Sequence, residues 1–96
     1  MFIGKIHELV QYNNISKQTV FIDPRFQVLL LSLAKDAYLK PHQSKTDAFF
    51  LVTEGEVIFT VGGEDHHLFA GDLFTFSARE QHAVKAVQNA TLMIVK

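Results

Sequence analysis

The residues of this chain best able to do chemistry near neutral pH are five histidines, at positions 7, 42, 66, 67 and 82. An unperturbed imidazole titrates near neutrality, and its neutral form ligates metals. Their value depends on which of them can converge. Side chains two apart in a strand share a face, so an unbroken strand over 42–52 would gather His42, Ser44, Ala48, Phe50 and Val52 as one wall of a pocket. Asp47 would then face the other way, unless a bulge reversed the alternation. His82 follows a loop and opens a later strand, where a side chain can point into the mouth of a barrel. His42 and His82 are therefore the two candidate metal ligands. His66 and His67 are adjacent after a Gly62-Gly63 turn, so at most one faces inward, and a surface role is the simpler reading. His7 has no partner in the sequence. Asp47 and Glu80 are the carboxylates that could join a histidine in acid–base work.

Other chemistries have no foothold. The sequence holds no nucleophile elbow, P-loop or dinucleotide fingerprint. It has no cysteine and hence no disulfide or Cys/His zinc pattern, which fits a reducing, cytoplasmic setting. Seven lysines and two arginines are scattered singly on a chain of net charge −1, so nucleic acid is not an expected partner. No apolar run is long enough to span a bilayer, and MFIGKIHELV lacks the long apolar core of a signal peptide.

The elements that must position these residues read as short strands. Ninety-six residues make one domain, 1–96, which buries roughly 60–65% of its unfolded surface; nine Phe and two Tyr supply the dense core this requires. EVIFTV (56–61), HHLF (66–69), LFTF (73–76), HAVKAV (82–87) and TLMIV (91–95) are β-like and separated by Gly, Asp and Asn turns. Glu54-Gly55-Glu56 reads as a turn. In the first half, TVFI (19–22) leads to an Asp23-Pro24 turn and then FQVLLLSLA (26–34), nearly all apolar and favoured as a strand, although periodicity alone leaves a buried helix open. KIHELVQY (5–12) fits a strand or a short helical turn. Phe49, Phe50, Phe59, Phe74 and Phe76 are expected in the core or pocket wall. The pattern predicts an all-β sandwich or barrel.

Two segments resemble the paired motifs of the cupin superfamily, G-x5-H-x-H-x3-4-E-x6-G and G-x5-P-x-G-x2-H-x3-N. The first aligns on His42 and Gly55, with Ser44 in place of the second histidine and Ala48 in place of the glutamate. The second aligns on Gly71 and His82, with Ser77 for the proline, Arg79 for the glycine and Ala86 for the asparagine. The resemblance runs from about Phe26 to Lys96 and implies a cupin-like jelly-roll β-barrel. It also implies a divalent metal (Fe, Mn, Ni or Zn), but only His42 and His82 remain to hold one, and two imidazoles bind weakly without a carboxylate. The expected function is a small-molecule-binding or regulatory barrel with a weakened metal site; the alternative is a metal-dependent enzyme of the dioxygenase or isomerase type. A homodimer is expected, with FIGKI adding to a partner's sheet.

Overall fold

The computed structural model describes residues 1–96 as one short helix and nine strands. In chain order these are α1 (Ile6–Leu9), β1 (Ile15–Asp23), β2 (Phe26–Leu33), β3 (Tyr38–His42), β4 (Ala48–Glu54), β5 (Glu56–Val61), β6 (Glu64–Phe69), β7 (Leu73–Phe76), β8 (His82–Ala86) and β9 (Ala90–Val95). They form two antiparallel sheets, β1-β2-β9-β4-β7 and β3-β8-β5-β6, packed face to face as a jelly roll.

Period-two burial fixes which side chains look inward. In β5, Val57, Phe59 and Val61 are buried and alternate with half-buried residues; in β4, Ala48, Phe50 and Val52 are buried and alternate with exposed or half-buried ones. From β4, β5 and β7, Phe50, Phe59, Phe74 and Phe76 meet with ring centroids 4.8–6.3 Å apart, in a mixture of stacked, tilted and edge-on geometries that aromatic pairs favour. Phe49 departs from the sequence expectation. It takes the opposite phase of β4 and lies exposed on the outer sheet face.

The run FQVLLLSLA is a strand, and its lack of alternation has a physical cause. β2 is buried on both faces. Leu29, Leu31 and Leu33 face the interior, while Leu30 and Ser32 are equally buried on the outer side. The N-terminal segment crosses that outer side: the Ser32 hydroxyl donates to the Gln11 carbonyl at 3.0 Å, and the Tyr12 hydroxyl meets Thr91 at 2.9 Å and Glu54 at 2.8 Å. Of the two readings of 5–12, the structure takes the helical turn, as the four residues of α1.

One end of the barrel is closed. Leu33, Val52, Val57, Ala86 and Ala90 are wholly buried there, with Leu33 opposite Ala90 and Val57 opposite Ala86. Gly55 makes the turn from β4 to β5 at φ +84°, and a Cβ at this position would sit 2.0 Å from the Asn89 carbonyl oxygen. Only glycine fits that approach.

Candidate functional site

The opposite end of the barrel holds a cavity of about 500 Å³, a size typical of small-molecule sites. Its wall combines Leu29 and Leu31 of β2, Phe50, Phe59, and Leu92 and Ile94 of β9. His42, Ser44 and His82 stand at its polar side.

A bulge brings the two histidines together. Leu39 pairs with Val84 and His42 with His82, so three steps along β3 match two along β8. The extra residue lies at Lys40-Pro41, where a proline is tolerated because β3 is an edge strand. In a regular strand Leu39 and His42 would face opposite ways; the bulge puts both into the cavity wall. The imidazole centroids are 4.2 Å apart, edge to face. His82 is buried against Phe76, at 4.2 Å, while His42 is exposed.

The ring nitrogens have definite roles. Nδ1 of His42 lies 3.2 Å from the Lys40 carbonyl and Nδ1 of His82 lies 3.3 Å from the Glu80 carbonyl. A carbonyl can only accept, so each Nδ1 carries the proton and each neutral ring keeps its lone pair on Nε2. Burial pushes the His82 pKa below the ordinary histidine value. The Glu80 backbone carbonyl opposes this, His42 and Lys96 add to it, and the Glu80 charge again opposes it. The net effect favours a neutral ring that accepts hydrogen bonds or ligates.

The remaining sequence candidates are distributed as follows. The strand does not run unbroken from 42 to 52, because residues 43–47 form a loop between β3 and β4. Two hydrogen bonds tie that loop to the 77–81 loop: Gln43 Nε2 donates to the Arg79 carbonyl at 3.0 Å, and the Ala78 N–H donates to Asp47 Oδ1 at 2.9 Å. Ser44 and Phe50 line the cavity; Ala48 and Val52 do not, and pack instead into the buried core. Asp47 points away from the cavity into its contact with Ala78, and Glu80 accepts from the Ser77 N–H. His66 rests on Phe74 at 4.8 Å, and His67 pairs with Glu56 outside the barrel. No group of three His, Cys, Asp or Glu side chains converges anywhere in the chain. Two imidazoles and a serine hydroxyl fall short of the three or four donors a first-row metal takes, so the donor set does not fit a tightly held ion.

Sequence reasoning missed the cavity's cations, Lys17, Lys45 and Lys96. A signal for one of them was present. Leu92, Ile94 and Lys96 fall on one phase of β9, so Lys96 is a polar residue ending an inward-facing series.

A family model described as "Cupin domain" matches residues 29–95. The protein TT1209 from Thermus thermophilus is 29% identical, with a TM-score of 0.87 over 99% of this chain and 95% of its own. An RmlC-like cupin protein from Desulfovibrio desulfuricans, 18% identical, has a TM-score of 0.87 over 99% and 94%. A cupin superfamily protein from Desulfitobacterium hafniense, also 18% identical, has 0.81 over 91% and 80%. No curated protein matches.

Proposed function

The chain belongs to the cupin domain family, and on that premise we propose that it is a small-molecule-binding or regulatory barrel with a weakened metal site. The observation that carries this reading is the 500 Å³ cavity with apolar walls and the His42–His82 pair at one side. A preformed apolar cleft with a few convergent polar groups is the usual form of a ligand site. Ser44 and Ala48 at the family's ligand positions favour binding over metal chemistry, since a hydroxyl is a weak donor and a methyl is none. The reading takes the cytoplasm as its setting, in keeping with a chain free of cysteine; no helix is long and apolar enough to cross a membrane.

The second reading is a metal-dependent enzyme of the dioxygenase or isomerase type, favoured by the two free Nε2 lone pairs. Metal analysis separates the two. Protein purified without chelator is expected to carry well under one equivalent of Fe, Mn, Ni or Zn, and added metal to leave the melting temperature unchanged. Near-stoichiometric metal that is lost in His42→Ala and His82→Ala would overturn the binding-barrel reading.

A homodimer belongs to the same proposal. Phe21, Ile22, Phe49 and Leu73 of the five-stranded sheet are exposed, as are Phe2 and Ile3 ahead of it, and isolated domains seldom leave so much apolar area in water. Light scattering on a sizing column is expected to give twice the 10.9 kDa chain mass; the chain mass itself at micromolar concentration rejects the dimer.

A further inference from the structure

Three lysines from separate parts of the chain line the cavity: Lys17 of β1, Lys45 of the 43–47 loop, and Lys96 just after β9. No Asp or Glu lines it. Strand register accounts for two of them. Lys17 stands opposite Leu31, itself in the cavity wall, and directly opposed residues of an antiparallel pair share a face. Lys96 follows Leu92 and Ile94 on the inward phase, and its N–H and C=O both bond the backbone of Gln27, another lining residue.

These ammonium groups have no protein counterion. The ion pairs of the chain are His7–Glu8, Arg25–Asp23, His66–Glu64 and His67–Glu56, and none includes the three lysines. Their proximity leaves a mark on Lys96, whose pKa is pushed below the ordinary lysine value first by burial and then by the charges of Lys17 and Lys45. A chain of net charge −1 thus gathers three uncompensated cations around one cleft, where ordinary surface placement would let them spread apart.

We propose that the cavity takes a small oxyanion on an apolar body, a carboxylate or a phosphate ester, with Lys17, Lys45 and Lys96 receiving the head group. The hydrocarbon part lies against Leu29, Leu31 and Phe59. The inference rests on the small-molecule reading above and adds the charge of the ligand. Charge-assisted hydrogen bonds from an ammonium to an oxyanion exceed neutral ones in strength, and salt weakens them at an open mouth. Gln27, Gln43 and Thr46, also at the cavity, offer neutral donors beside the lysines.

The test uses three probes with one phenyl body: 3-phenylpropionate, 2-phenylethyl phosphate and the neutral 3-phenylpropanamide. Each is titrated into the intact chain at low salt, and the NMR shifts of cavity residues are followed. At least one oxyanion is expected to bind about tenfold tighter than the amide, and the tighter of the two identifies the head group. The Lys17→Gln/Lys96→Gln double variant is expected to lose several-fold more affinity for the oxyanion than for the amide, narrowing the gap between them, and the amide binding that remains reports that it folds. Lys45→Gln, on the exposed loop, is expected to weaken the oxyanion alone. If the amide binds the wild-type chain as well as both oxyanions, the charge inference fails and the cavity reading stands. If no probe moves any cavity resonance, both fail.

Discussion

The two ends of this barrel are built from the same strands and have opposite characters. At the closed end, Leu33, Val52, Val57, Ala86 and Ala90 leave no exposed surface. At the other end β2 begins beside Gln27 and β9 runs out into Lys96, and β3 and β8 bring in His42 and His82. Along β2, β9 and β8 the inner face is therefore apolar until the last inward position, where polarity begins. The contrast teaches that one end holds the fold together, while the other carries groups whose placement the fold tolerates.

The largest effect that would sharpen this contrast is expected at the closed end. Gly55→Ala forces a Cβ against the Asn89 carbonyl and holds a non-glycine residue at φ +84°. It is expected to cost about 3 kcal/mol or more, read as a shift in the urea midpoint. A loss under about 1 kcal/mol would mean the closed end yields easily, and the contrast would break.

A smaller effect is expected from pH. The folded chain holds the His82 pKa below its unfolded value, so as pH falls through about 6.5 the unfolded state binds more protons and stability declines. Above that pH both states are neutral at this site and the contribution is flat. In chelator-treated protein, His82→Gln is expected to be less sensitive to acid between pH 7 and 5 than the wild type. Equal slopes would remove the buried, neutral ring from the cavity end.

The smallest effect belongs to the lysines. Lys96→Met removes a half-buried cation repelled by Lys17 and Lys45, and is expected to change stability by no more than about 0.5 kcal/mol, toward greater stability. A pronounced loss in thermal unfolding would make Lys96 part of the scaffold, and the two ends would no longer differ in kind.

Much of the closed end could be read from the sequence, because β5 is rich in β-branched and aromatic residues and the Gly55 turn marks its start. β2 resisted, since burial on both faces erases the period that distinguishes strand from helix. α1 resisted because four residues give too little pattern. The His42–His82 pairing came from motif spacing. Its cause, the Lys40-Pro41 bulge, did not, since a bulge changes which face a residue takes without a mark in hydrophobicity. Residues 43–47 read as strand, and that reading places Ala48 and Val52 in the pocket. Both do face inward, but Val52 lies where the core has closed, and Ala48, opposite Phe76, is packed within the buried cluster. The three lysines look scattered because linear order says nothing about register: 17, 45 and 96 become neighbours only once β1, β2, β9 and β4 are paired.

The ties between the rim loops bear on which side chains this stretch of the barrel can exchange. Both end on main-chain atoms of Arg79 and Ala78, so replacing either side chain leaves them intact. A glycine at 79 would thus keep both ties and leave the imidazole at 82 at its station. What the ties require in this stretch is the path of the backbone, together with Gln43 and Asp47 on the far side.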